Sequence, residues 1–146
     1  MSKRADALTV RLARPEERDE LEQLQWRAST ALPDYREQLE AHPDAIHLPA
    51  AQIANEQVHV AELDGRIAGF AALVGGELDG LFVEPDLWRR GIGLALVEVA
   101  THEARRKGLA LTVIANPTVR EFYESCGFSL EGKAATRFGP GLRMSK

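Results

Sequence analysis

The sequence predicts a mixed α/β domain: a mostly antiparallel sheet of about six to seven strands flanked by about four helices, with one parallel pair inside it. Three observations carry this expectation. Between Val58 and Val83, apolar runs are separated by the turn pairs Asp64-Gly65 and Gly75-Gly76, the pattern of an antiparallel meander. From Ile92 the apolar period becomes that of a helix, and another short apolar run follows it. Strand, helix and strand in that order over residues 78–115 form a crossover, and crossovers join parallel neighbours.

Each element has its own signal. Leu8-Thr9-Val10-Arg11-Leu12 alternates apolar and polar residues, as a half-buried strand does. Pro15 suits a first helical turn and Glu16-Glu17 its positive dipole end. Leu21, Leu24 and Ala28 then recur at helical spacing, so an amphipathic helix is expected to run to residue 31. Asp34 with Glu37 has the form of a capping box, opening a short second helix through Tyr35 and Leu39 that Pro43 ends. Residues 44–56 read as a loop with one helical turn near residues 50–54. Strands are expected over residues 58–63, 66–74 and 77–83. Ile92, Ala95, Leu96, Val99 and Ala104 form one stripe of a long helix, closed by Arg105-Arg106-Lys107 and Gly108. Residues 109–115 are apolar and partly β-branched, a buried strand. Asn116-Pro117 offers an N-cap and a first-turn proline to a helix whose face is Val119, Phe122, Tyr123 and Cys126, stopped by Gly127. Final strands are expected over residues 128–130 and 136–144, the second a bent edge strand because residues 137–143 hold so much Gly and Pro.

Composition excludes several classes. At 146 residues, the chain is expected to form a single domain over residues 1–146. Its 45% hydrophobic and 27% charged content is too apolar for a disordered protein. The lone cysteine, Cys126, excludes an internal disulfide framework and points to a reducing, cytoplasmic compartment. A net charge of −4 disfavours a nucleic-acid reader with a wholly basic surface. No apolar run is long enough to span a bilayer, and the polar start does not read as a targeting segment. The histidines and the cysteine lack metal-ligand spacing, so no metal is expected.

The chemistry concentrates in Leu81-Phe82-Val83-Glu84-Pro85-Asp86-Leu87-Trp88-Arg89-Arg90-Gly91-Ile92-Gly93. A strand ends, a loop rich in arginine and glycine follows, and the long helix begins. Helix N-termini carry unpaired N–H groups and partial positive charge, glycines allow close approach to the backbone, and arginines add charge-assisted bonds. A pyrophosphate is the natural guest. The plainer reading is a tight turn beside solvated arginines. Two nucleotide motifs fail on spacing: no Gly-Lys-Ser/Thr triplet exists, and Leu96 stands where a dinucleotide fingerprint needs a third small residue.

Trp88-Arg89-Arg90-Gly91-Ile92-Gly93 resembles the acetyl-CoA loop Gln/Arg-x-x-Gly-x-Gly/Ala of the Gcn5-related N-acetyltransferase superfamily, with Trp88 at the Gln/Arg position, which acts mainly through its backbone. Asn116-Pro117 followed by Phe122-Tyr123-Glu124-Ser125-Cys126-Gly127-Phe128 is similar to that superfamily's Asn…Phe-Tyr-x-x-x-Gly-Phe signature. The resemblance is specific over residues 58–130 and weak before them. It implies a sheet splayed between residues 77–83 and 109–116, with pantetheine along the backbone of Leu81, Phe82 and Val83. Diphosphate would then meet the N–H groups of Arg89, Arg90, Gly91, Ile92, Gly93 and Leu94, and Asn116, Phe122 and Tyr123 would adjoin the cofactor.

The activity so implied is transfer of the acetyl group of acetyl-CoA to a primary amine of a small molecule or protein, by direct attack in a ternary complex. The alternative is a CoA-binding regulatory or interaction domain without turnover. Tyr123 is the candidate general acid for the departing thiolate. Glu77 is the candidate base through a water; Asp79 is the second, on the same face provided no bulge intervenes, and a water chain is the third. Cys126 lies on an apolar helix face and reads as core. Trp26, Arg27, Ser29, Tyr35 and His47 are candidates to line the acceptor wall, whereas His42 and His59 read as surface or strand-face residues. The Gly/Pro-rich tail would close the acceptor site or form a dimer contact, and a homodimer is expected only from its frequency among relatives.

Overall fold

A computed structural model describes residues 7–146. They form one seven-stranded sheet in the order β1-β2-β3-β4-β5-β7-β6. The strands are β1 Leu8–Leu12, β2 Val58–Leu63, β3 Arg66–Val74, β4 Glu77–Val83, β5 Thr112–Ala115, β6 Ser129–Thr136 and β7 Gly139–Ser145. Every neighbouring pair is antiparallel except β4 and β5. The meander closes where expected: Asp64 and Gly65 have φ of 52° and 81°, and Gly75 and Gly76 have 57° and 83°. Two successive positive φ angles give the turn twist that matches the strands.

Among the described residues five α-helices accompany the sheet: α1 Arg18–Thr30, α2 Pro33–Ala41, α3 Ala50–Ala54, α4 Ile92–Arg106 and α5 Arg120–Ser125. Pro15–Glu17 is a separate 3-10 turn leading into α1. The expected capping box does not form. Leu32, not Asp34, is the N-cap of α2 and makes no side-chain cap, because Pro33 fills the first turn, where its missing N–H costs nothing. Asp34 contributes instead as an acidic first-turn residue.

The sheet buries both faces. On one, α4 lays Ile92, Leu96, Val97, Ala100 and Ala104 against Ala71, Leu78, Leu111, Val113 and Met144. On the other, Leu21, Leu24 and Ala28 of α1 and Ile53 of α3 meet Val58, Val60 and Phe70.

The last hairpin differs from the sequence expectation. β7 lies between β5 and β6, so β6 is the edge strand, and it is longer than residues 128–130. A Gly-Pro-Gly segment is compatible with an interior strand here because β5 pairs only with Leu142–Ser145 of β7. Pro140 overhangs β5 and pairs with Ala135 of β6 alone, so its missing N–H interrupts no ladder on the β5 side.

One irregularity positions the site. β4 and β5 pair only at Glu77↔Thr112 and Leu78↔Val113. Beyond those two pairs β4 continues to Val83 with no strand on that side, and the sheet is splayed.

Candidate functional site at the splayed edge of β4

The open edge of β4 can be read atom by atom. Glu84 N–H donates to the Ala68 carbonyl at 2.8 Å, so Glu84 directs its backbone toward β3. Polar groups alternate along an antiparallel ladder, and the register from Gly69↔Val83 to Ala71↔Leu81 is regular. Val83 and Leu81 therefore turn their backbone groups to the splayed side, and Phe82 between them packs its ring on Phe70. The Trp88 indole confirms the direction, for its Nε1–H donates to the Val83 carbonyl at 2.9 Å. Trp88 thus engages the strand edge through its side chain.

Beyond β4 the chain turns sharply. Glu84 is buried, and its carboxylate accepts Arg27 Nε at 3.0 Å and Arg27 Nη2 at 2.7 Å, pinning α1 to the end of β4. A 3-10 turn over Pro85–Leu87 follows, then Arg89 at φ 66° and Gly91 at φ 81°. A Cβ at Gly91 would meet nothing within 4 Å, so conformation alone calls for glycine there. Gly93 is different: its Cβ would lie 2.9 Å from the Phe122 ring, so its bareness admits Phe122 rather than a phosphate. The first helical bond of α4 joins Ala95 N–H to the Gly91 carbonyl, leaving Ile92, Gly93 and Leu94 N–H at the open end. Arg89 and Arg90 are exposed beside it.

Tyr123 is buried on α5, edge-on to Phe122 at 5.1 Å and Phe128 at 5.3 Å between ring centroids. Its hydroxyl has no hydrogen-bond partner among the described residues, yet no buried side-chain polar atom lacks one, so that oxygen reaches solvent. Burial pushes the phenol well above its ordinary value of 10 and keeps it protonated. Asn116 Oδ1 accepts Thr118 N–H at 2.8 Å and Thr118 Oγ1–H at 3.0 Å, capping the turn that starts α5. The Tyr35 phenol sits against the Asn116 side chain; its pKa is raised by burial, and the contact with Asn116 opposes the rise.

A bulge falls on β4. Leu73 opposes Leu78 while Ala72 opposes Gly80, so Asp79 is the extra residue and the condition attached to it fails. Its carboxylate accepts Gln52 Nε2–H of α3 at 3.2 Å. Glu77 is exposed at the first of the two β4–β5 pairs, one residue before the sheet splays, and its side chain has no hydrogen-bond partner among the described residues.

The wall candidates are less uniform. Tyr35 adjoins Asn116, but Arg27 is committed to Glu84, Ser29 is buried, Trp26 is half-buried and His47 leans on Glu22 at 3.4 Å. His59 faces α4 beside Glu103 and Lys107, at the helix end remote from the loop; burial lowers its pKa. Cys126 is buried and burial raises its thiol, so it is core. Glu84 and Phe138 were not among the candidates. Arg27 and Glu84 lie 57 residues apart, a pairing that no local pattern marks. Phe138, in the β6–β7 turn, lies 6.3 Å from Tyr35 and 6.2 Å from His42 between centroids, beside a groove of about 630 Å³ lined by Glu37, Gln38 and Ala41. Among the described residues no cluster could hold a metal ion, and no helix is long and apolar enough to cross a membrane.

A sheet opened between parallel strands, with a helix N-terminus at its mouth, has the geometry to suit an extended ligand with an anionic tail along a strand edge. Residues 18–128 match the acetyltransferase (GNAT) family, and the chain belongs to it. It is 33% identical over 137 residues to the peptidyl-lysine N-acetyltransferase YjaB of Escherichia coli, covering 87% of this chain and 86% of YjaB. The solution structure of apo YjaB superposes with a TM-score of 0.71 at 27% identity, over 95% of this chain and 97% of that one. The peptidyl-lysine N-acetyltransferase YiaC of Escherichia coli is 38% identical over 82 residues, and that match spans only about half of each protein (55%). The PaiA N-acetyltransferase of Thermoplasma acidophilum, solved with coenzyme A, shares the fold over 96% of this chain and 98% of its own, at a TM-score of 0.73 and 19% identity.

Proposed function

We propose that this single domain is an N-acetyltransferase that moves the acetyl group of acetyl-CoA to a primary amine of a protein or small molecule. The observation that carries the reading is the unpaired edge of β4 at Leu81 and Val83, leading directly to the N-terminus of α4. The names of YjaB and YiaC support a protein lysine as the acceptor.

The residues fit such a ligand. Backbone groups of Leu81 and Val83, flanking Phe82, suit an extended amide chain, and the N–H groups of Ile92, Gly93 and Leu94 with Arg89, Arg90 and Gly91 suit a diphosphate. Acetyl-CoA would bring a thioester, hence an electrophilic carbonyl and a thiolate leaving group. Glu77, exposed and unengaged, would take the amine proton through a water, with Asp79 the second candidate. The Tyr123 hydroxyl would hold a proton for the departing sulfur, and Asn116 would fix the turn that carries Tyr123. A buried, protonated Cys126 accords with direct attack rather than an acyl-enzyme. A cytoplasmic location rests on the lone cysteine, and a homodimer on the resemblance alone.

A thermal-shift titration tests the reading, with ATP and NAD as controls. A ligand that binds only the folded state raises the midpoint by mass action. Acetyl-CoA should raise it selectively, and lysine-containing peptides should then release thiol; no rise in a folded sample defeats the assignment. Binding without turnover on any amine would favour the CoA-binding regulatory alternative.

A further inference from the structure

We propose that Trp88 sets the affinity of the β4 edge, its indole N–H occupying the Val83 carbonyl that the ligand's amide must win on binding. The inference rests on the acetyl-CoA reading above. Val83 offers its carbonyl to the splayed side, where an extended ligand would pair as an added strand, and the Trp88 indole meets it there at 2.9 Å. A carbonyl oxygen has two lone pairs, but the indole meets it on the side that a strand-like ligand would approach, so the two donors contend for the same face of the acceptor.

Packing covers the side chain only in part, for Trp88 is 42% exposed. The next residue, Arg89, sits at φ 66°, a conformation that side-chain-bearing residues adopt at a cost. Relief of that strain would favour a swing of the segment once the tether is exchanged. The Val83 carbonyl is thereby kept satisfied in the ligand-free edge, and binding has an exchange of hydrogen bonds built into it.

The test compares Trp88→Phe with wild type by calorimetry against two probes: acetyl-CoA, and the nucleotide fragment of coenzyme A that lacks pantetheine. Phenylalanine keeps a ring and removes the donor, so acetyl-CoA should bind about 3- to 10-fold more tightly and the fragment with unchanged affinity. As a second readout, the Trp88 indole N–H resonance, assigned by its loss in the variant, should move with acetyl-CoA and stay with the fragment. Unchanged or weakened acetyl-CoA binding in the variant, or an equal gain for both probes, overturns the proposal while leaving the acetyltransferase reading intact. Wild type binding neither probe defeats that reading, and this inference falls with it.

Discussion

Tyr123 shows how one environment sets two properties of a side chain. Rings on either side of the phenol raise its pKa, so it stays protonated throughout the range in which acetyl transfer is assayed. The same shift makes it a weak acid against a thiolate, so in the proposed general-acid role its effect would belong in the transition state, as charge builds on sulfur. Tyr123→Phe should lower kcat about 10²-fold or more and leave stability within about 1 kcal/mol, since no protein hydrogen bond is lost. Steady-state kinetics beside a melting curve separates the two. Because the ionised form appears only above the raised pKa, Tyr123 should impose no alkaline decline below about pH 10; a decline near pH 9 that vanishes in Tyr123→Phe would contradict this. The two carboxylates separate by their partners. Asp79 is tied to Gln52 whereas Glu77 is unengaged, so Glu77→Gln should depress kcat/KM more than Asp79→Asn. The reverse order in matched assays would transfer the base role to Asp79, and equal, small losses would leave it to a water chain.

At the scale of elements, the loop and α4 use two glycines for different reasons, and substitution should expose the difference. Alanine at Gly91 meets open space and pays only for φ 81°, about 1–2 kcal/mol. Alanine at Gly93 must push Phe122, 2.9 Å away, out of its place on α5. Gly93→Ala should therefore weaken acetyl-CoA binding and slow turnover, because Tyr123 adjoins Phe122, while Gly91→Ala mainly lowers the melting midpoint; binding isotherms and melts on both variants decide it. The same elements show what a sequence can and cannot display. The meander and α4 were legible because alternation, turn residues and a helical stripe all agree locally. The Asn116 cap was legible for the same reason. β7 was misjudged because Gly-Pro-Gly speaks for an edge, and only the short reach of β5 makes an interior position tolerable. The Asp34–Glu37 capping box misled because Pro33 can start the helix first. Arg27–Glu84 and Trp88–Val83 were invisible: the first joins distant segments, and the second depends on the tight turn over Pro85–Leu87 bringing the indole back to the strand end, which no pattern announces.

For the whole molecule, the decisive feature is that α4 belongs to the site at its N-terminus and to the core along its length. Leu96, three residues after Gly93, is fully buried in the cluster that joins α4 to the sheet. Leu96→Ala should cost about 2–5 kcal/mol, a large share of the ~5–15 kcal/mol typical of a domain. At about 2–4 °C per kcal/mol for a chain of this size, the midpoint should fall by roughly 4–20 °C. Acetyl-CoA at about 100 times its Kd should stabilise any folded form by about 2.7 kcal/mol, which offsets much of that loss. The ligand-induced increment should be equal in wild type and Leu96→Ala if the cavity leaves the α4 N-terminus where it is. Melting both proteins with and without ligand measures it. A smaller increment in Leu96→Ala would show that the open N–H groups of Ile92, Gly93 and Leu94 are held in place by the packing beneath them, so that core and site form one cooperative unit.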